Sequence, residues 1–347
     1  MPFSDERPGE TGVSAHRSPL SVTPVDDRRA WDAEVLGLGG HPLQLWGWGE
    51  VKGAGAWRPL RLRVTDADGT PVGLAQVLVR RLPFPFRALS HVPRGPVLAA
   101  GVAPGPVLRA VTSWVRRNVG GTAISFEPHW PEGTVVDLPG SRPGANTILF
   151  PHTLIIDLER SEDELLADLS RTTRQGVRRS ARTDLVYREI TGLDELRACL
   201  AIYHETAQRA GFGLHPDAYY ERVWTELGEH SPVFAAFEGE RPVAFLWLAA
   251  SGRTSFELYA GADDTGRRLR ANYSLKWTAI TAMKARGLTE YDVNGLLNDG
   301  ISEFKRSFAG HEDDLVGTID VPFSFWYGVW TNALPRAKAL LQRLRRR

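Results

Sequence analysis

Short blocks of alternating apolar and polar residues, each opened by a glycine- or proline-containing turn, mark strands along this chain. Longer blocks with apolar residues every three to four positions mark helices between them. In the first half, Gly69-Thr70-Pro71-Val72-Gly73 is a turn feeding a strand over 74–80. His91-Val92-Pro93-Arg94-Gly95-Pro96-Val97 comes next, then a helix over about 107–118 and a strand over 122–126. The same order returns in the second half. Gly239-Glu240-Arg241-Pro242-Val243-Ala244 feeds a strand over 245–250, followed by a strand over 255–261, a helix over about 272–286 and a strand over 290–293. Pro71-Val72-Gly73 and Pro242-Val243-Ala244 stand 171 positions apart, so the register holds over half the chain. The repeat predicts an α/β fold (mixed α+β) of two similar domains sharing a cleft.

Around this repeat, Ser161-Glu162-Asp163-Glu164 opens a helix, with Ser161 as N-cap, Glu164 completing a capping box and the acids at the positive helix end. Further helices are expected over 194–210 and 216–227, and a last one over about 330–347 that ends in three arginines. The predicted organisation is a disordered polar tail over 1–22, a first domain over 23–150 and a second over 151–321, with 322–347 packing back on the first. At 347 residues, 42% hydrophobic and 24% charged, the chain has ample core for two domains. A net charge of +1 argues against a basic coat for nucleic acid but leaves room for a local basic stripe. The single cysteine, Cys199, excludes a disulfide framework and a cysteine-rich metal site, reads as structural, and suits a cytoplasmic location. The nine histidines form no His-x-x-x-His or His-x-Glu motif, so no metal is expected. No Gly-x-Ser-x-Gly elbow or P-loop is present.

Lysine is scarce: Lys52, Lys276, Lys284, Lys305 and Lys338 are the only five among 42 basic residues. Lys305 follows Phe304 and precedes Phe308, after the short buried strand and polar turn Tyr291-Asp292-Val293-Asn294-Gly295. A compact ammonium between aromatic residues suits a developing oxyanion or a phosphate, whereas a snorkelling surface lysine is the plain alternative. Lys52 ends a second aromatic cluster, Trp46-Gly47-Trp48-Gly49-Glu50-Val51-Lys52. His215 and Tyr219 fall on one helical face beside Tyr220. Arg171, Arg174, Arg178 and Arg182 make one stripe on the helix begun at Ser161, either a phosphate contact with an RNA backbone or a solvated face.

The strand 256–261, the loop 267–270 and the helix from Asn272 resemble the GCN5-related acetyltransferases, in which such a loop and helix N-terminus cradle a pyrophosphate. Neither register of Arg267, Arg268, Arg270, Ala271 and Asn272 supplies the close-approach glycine, so the fold is similar but the acetyl-coenzyme A loop is lost. The ordered series Asp157-Leu158, Ser161 to Leu166, Arg174 to Arg182, Thr206 to Phe212, Tyr219-Tyr220, Tyr259-Ala260-Gly261, Ala271-Asn272-Tyr273, Tyr291-Asp292 and Phe304-Lys305, with Trp48 to Lys52 and Pro93 to Val97 before it, resembles the Fem family of peptidoglycan aminoacyltransferases over about residues 40–325.

The resemblance implies two tandem acetyltransferase-like domains, without the long helical arm that some members insert, and no cofactor. It implies transfer of glycine, alanine or serine from aminoacyl-tRNA to an amine on a cell-wall precursor stem peptide. It places Lys305 and Phe304 at the catalytic position and Lys52, Tyr219 and Tyr259 at acceptor-binding positions. Trp48, Arg94, Glu127, His215 and Asn272 are assigned to substrate binding beside them, and Arg171, Arg174, Arg178 and Arg182 to tRNA. His215 stands where relatives that bind nucleotide-linked precursors use arginine. A neutral imidazole grips a diphosphate poorly, so a lipid-linked precursor or a peptide-like metabolite is the expected acceptor. A non-catalytic or acyl-coenzyme A-using protein is the remaining alternative. The chain is expected to be monomeric. Trp326, Tyr327 and Trp330 read as aromatic core, with peripheral contact to a membrane as the other reading.

Overall fold

The computed structural model describes residues 20–144, 146–297 and 300–333. The first domain is a sheet of β1 (Ser21–Pro24), β2 (Trp57–Thr65), β3 (Pro71–Arg81), β4 (Ala88–Pro93), β5 (Val97–Leu98), β6 (Ala123–Glu127) and β7 (Arg142–Pro143). The second contains β9 (Ile155–Asp157), β10 (Val186–Glu189), β11 (Val233–Glu238), β12 (Arg241–Ala250), β13 (Thr254–Ala262) and β14 (Glu290–Asp292). The short β8 (His152–Thr153) pairs with β15 (Asp313–Asp314) outside both sheets, and β16 (Ile319–Pro322) returns to the first. The sheet orders are β1-β2-β3-β4-β6-β16-β7, with β5 beside β3, and β10-β11-β12-β13-β14-β9.

The duplication is visible in the topology. Three antiparallel strands, β2-β3-β4, pass through α3 (Pro104–Asn118) to β6, which lies parallel to β4. Likewise β11-β12-β13 pass through α9 (Ala271–Ala285) to β14, parallel to β13. Each parallel strand is then flanked by an antiparallel one, β16 on β6 and β9 on β14. β9 precedes its own domain in sequence and β16 follows the second domain, so each connection crosses between the two units. One hydrophobic cluster spans both, joining Trp31, Leu74 and Val97 to Phe245, Trp247 and Phe256.

The helices α1 (Arg28–Gly37) and α2 (Trp46–Gly53) belong to the first domain, and α6 (Leu193–Ala210) and α7 (Asp217–Leu227) to the second. The glycines between the tryptophans of α2 have a packing reason. A Cβ on Gly47 would fall 2.1 Å from the Glu226 carbonyl of α7, and one on Gly49 2.3 Å from Gln76 Oε1. The Trp-Gly-Trp-Gly spacing lets α2 lie directly on α7, which closes the domains against each other along this line.

Four expectations change. Ser21 and Val22 are not tail: they pair with Thr65 and Val64 as part of β1, while residues 1–19 lie outside the described residues. The arginine stripe is not on the helix begun at Ser161. That helix, α4 (Glu162–Asp168), stops after two turns, because Leu169 turns extended and Ser170 caps a new helix, α5 (Arg171–Ser180), by accepting from Thr173 N. α8 (Asp264–Arg268) is an added turn before α9. After β16 the described chain forms a short helix, α11 (Trp326–Gly328), and a π-type turn over Val329–Ala333 packed on the first domain; the rest of the expected 330–347 helix lies outside the described residues. Among the described residues no helix is long and apolar enough to cross a membrane.

Candidate active site

Trp48 and Lys52 lie one turn apart on α2, facing the start of α7. Lys52 Nζ donates to Tyr219 Oη at 2.7 Å and sits 4.4 Å from the Trp48 ring centre and 5.1 Å from that of Tyr219. His215 stacks on Tyr219 at 4.1 Å. Partial burial, and then the Lys52 charge, lower the His215 pKa, so the ring is neutral at pH 7. Tyr259, from β13, packs edge-on against Tyr220 and Trp247; burial and then Tyr219 hold its phenol well above the usual tyrosine value. Lys52, His215 and Tyr219 line a cavity of about 570 Å³ together with Trp57 and Arg222. The structure thus brings Trp48, Lys52, His215, Tyr219 and Tyr259 into one cluster.

A second cavity, of 400 Å³, opens along β13. Thr206, Glu257, Asn272, Lys276, Phe304 and Lys305 line it, the last two from α10 (Gly300–Arg306). Lys305 is positioned by the polar turn after β14. Asn294 (φ +55°) and Gly295 (φ +50°) adopt left-handed backbone, and their carbonyls accept from Lys305 Nζ, that of Gly295 at 3.2 Å. Asp292 Oδ1 fixes the turn by accepting from Asn294 N at 2.8 Å, and Asn294 Nδ2 donates to the Glu257 carbonyl at 2.9 Å. The turn residues in the sequence therefore serve to aim two carbonyls at one ammonium.

One sequence expectation is corrected by the same geometry. The ammonium over the phenylalanine rings belongs to Lys276, 5.7 Å from Phe304 and 4.9 Å from Phe308, whereas Lys305 turns to the carbonyls. Lys276 is buried and pairs with buried Glu257 at 2.8 Å, and Glu257 also accepts from Tyr291 Oη at 2.8 Å. This network was missed in the sequence, although the scarcity of lysine was a signal that applied to Lys276 as much as to Lys305.

Arg94 and Glu127 stand apart from both cavities. Arg94 is buried in the turn after β4, donates to the Phe150 carbonyl at 3.0 Å, and lines a 360 Å³ cleft between the domains. Glu127 accepts from His91, the Ile148 and Leu149 amides and the Thr318 hydroxyl, all within 3.0 Å. Burial pushes its pKa up, but these donors outweigh burial and leave it below the usual carboxylate value. Such a carboxylate ties the interdomain segment to β6. The histidines are also less scattered than their spacing suggests: donor atoms of His41, His129 and Asp292 lie within 4.8 Å of one another. His41 Nδ1 accepts from Leu43 N, which leaves its other nitrogen carrying a proton, and the Arg94 guanidinium lies in the same cleft. This donor set suits a polar bridging group better than a cation.

On α5, Arg171 and Arg178 are exposed, as is Arg182 just past its end, but Arg174 donates to the Ala167 and Leu169 carbonyls and so closes the end of α4. At the start of α9, Arg267 is engaged by the Ala262 carbonyl and Asp264, and Arg270 occupies left-handed backbone. The nearby Gly266 is used for packing, since a Cβ there would meet the Val243 carbonyl of β12 at 2.2 Å.

Residues 167–306 match the family model described as an acetyltransferase (GNAT) domain. The fold is that of a tandem GNAT-like protein. Within that class the architecture is that of FemX, whose crystal structure superposes with a TM-score of 0.77 at 18% identity, covering 87% of this chain and 97% of that one. L-PGS from Bacillus licheniformis follows at a TM-score of 0.56 and 14% identity, covering 94% and 98%. A tandem GNAT protein from the clavulanic acid biosynthesis pathway gives 0.50 and 12%, covering 88% and 99%. No curated protein matches the sequence.

Proposed function

We propose that this protein is an aminoacyl-tRNA-dependent aminoacyltransferase that moves glycine, alanine or serine to an amine of a peptidoglycan precursor stem peptide. The observation that carries the reading is a pair of cavities, one along β13 with Lys305 on its wall and the other at the junction of α2 and α7 with the Lys52–Tyr219 pair. The donor is an ester between the amino acid and the tRNA 3′ end. The acceptor nitrogen adds to the ester carbonyl and forms the C–N bond. Collapse of the tetrahedral intermediate breaks the C–O bond, and the proton lost by nitrogen leaves with the tRNA hydroxyl. Such an ester is already activated, so the protein's tasks are orientation and oxyanion stabilisation. Lys305 supplies the positive charge, and Lys52, Tyr219 and Tyr259 hold the acceptor. A neutral His215 in place of a cation favours an acceptor held without its diphosphate, as in a lipid-linked precursor.

The test is transfer of radiolabelled amino acids from charged total tRNA to a lipid-linked precursor, its soluble nucleotide form and a free stem peptide, with an RNase control. RNase-sensitive labelling of the lipid-linked form is the expected result. No labelling of any acceptor, or binding of acetyl-coenzyme A by calorimetry, would overturn the reading. For the tRNA contact, reversing Arg171 and Arg178 to glutamate is expected to raise the KM for aminoacyl-tRNA about tenfold and to reduce its log–log salt slope by about 1.5. An unchanged slope returns α5 to being a solvated face.

A further inference from the structure

The face of the first domain beside the acceptor cavity is aromatic and basic, and the carboxylates nearest to it, Glu127 and Asp320, are buried. Residues 69–126 contain seven arginines and neither Asp nor Glu, and residues 321–347 contain no acid either. The fold brings residues 321–333 of the second stretch onto the first. The loop between β3 and β4 carries Phe84, 93% exposed, and α11 is preceded by Phe325, 75% exposed. Between them Phe86 packs edge-on against Trp326 at 5.9 Å and Trp330 at 5.4 Å, and Phe325 lies 4.4 Å from Trp326. Exposed Arg80, Arg81 and Arg87 flank the loop, and exposed Arg116 and Arg117 end α3 beside it. Tyr327 is buried as the sequence suggested, but Trp326 and Trp330 are only partly so.

We propose that this patch docks on an anionic lipid bilayer, with Phe84 and Phe325 entering the interface and the arginines meeting the headgroups. Aromatic rings at the interface supply apolar burial, and each arginine near an anionic surface adds electrostatic attraction. Charge complementarity commits the patch to an anionic partner. Two almost fully exposed phenylalanines suit insertion into a bilayer better than a polar RNA surface, and the arginine stripe assigned to tRNA lies on the other domain. Position adds a second argument. Trp57 opposes Arg80 in the β2–β3 register and lines the acceptor cavity with Lys52 and Tyr219, and it also lines a small cavity with Tyr327 and Trp330. Docking on this face sets the acceptor cavity beside the membrane, where a lipid-linked amine acceptor would be presented. That last step rests on the proposed function; the docking itself does not.

The experiment is sedimentation of the full chain with vesicles of phosphatidylcholine and phosphatidylglycerol at 7:3, against phosphatidylcholine alone, at about 100 mM salt. Binding is expected to the anionic vesicles only. Phe84→Ser/Phe325→Ser and Arg80→Glu/Arg81→Glu are each expected to weaken it at least about tenfold while leaving the melting curve unchanged. Wild-type binding no stronger to anionic than to neutral vesicles overturns the proposal, as does full binding by both folded variants. If the arginine variant instead loses tRNA affinity and keeps vesicle binding, the face is an RNA surface. Vesicle binding without aminoacyl transfer would refute the substrate reading and leave the docking face standing.

Discussion

Lys305→Ala is expected to lower kcat for aminoacyl transfer by about a hundredfold or more, the scale seen when one oxyanion donor is removed. The ammonium is placed by two carbonyls that the left-handed Asn294–Gly295 turn points at it, on the wall of the 400 Å³ cavity. If its role is to meet charge that develops only as the amine adds, kcat and kcat/KM fall together and KM moves little. Arginine should rescue poorly, because a planar fork cannot occupy the position of a compact ammonium between two carbonyls. Phe304 and Phe308 keep their packing in the variant, so its melting curve should match the wild type. A Lys305→Ala enzyme within threefold of the wild-type rate would remove Lys305 from the chemistry.

The repeat was legible in the sequence because strand period, turn residues and helix length are local properties, and both copies carry them in the same order. The cluster around Lys52 was partly legible as well: Lys52 and Tyr219 were single residues of unusual context, although their 2.7 Å contact joins positions 167 apart. What was not legible depends on tertiary placement. The helix break at Ser170 was hidden because Arg174 and Arg178 continue a helical stripe on either reading; only the Ser170 cap ends it. The strand β1 was hidden in a polar stretch because its partner, β2, supplies the packing. Which lysine meets Phe304 and Phe308 cannot be decided by adjacency, since a side chain on α9 reaches those rings from another element while Lys305 points to a turn. His41, His129 and Asp292 meet only when the two domains close, and no spacing rule spans 251 positions.

The second large effect is on stability. Lys276→Met should cost about 3–5 kcal/mol, the range for removing one partner of a buried ion pair. Lys276 and Glu257 are 3% and 7% exposed, so neither charge has water to fall back on. The truncation leaves Glu257 with the Tyr291 hydroxyl as the remaining side-chain donor to Oε1. The melting temperature should fall by about 10 °C, taking a few degrees per kcal/mol for a domain of this size. Lys276→Met/Glu257→Gln is expected to recover most of that loss, because an amide can accept from Tyr291 without carrying an uncompensated charge. The coupling energy from the cycle separates this account from simple cavity formation: at a contact pair it should exceed about 1.5 kcal/mol. If the double variant is as unstable as the sum of the two singles, the pair contributes nothing as a pair. The network lies next to the chemistry: the backbone carbonyl of Glu257 accepts from Asn294 Nδ2, and the Asn294 carbonyl accepts from Lys305 Nζ. These contacts are to backbone carbonyls that the substitutions leave in place, so a folded double variant should keep its KM for tRNA and most of its kcat. A double variant with restored stability but a much lower kcat would show that the Lys276 and Glu257 side chains themselves reach the chemistry through the cavity they line.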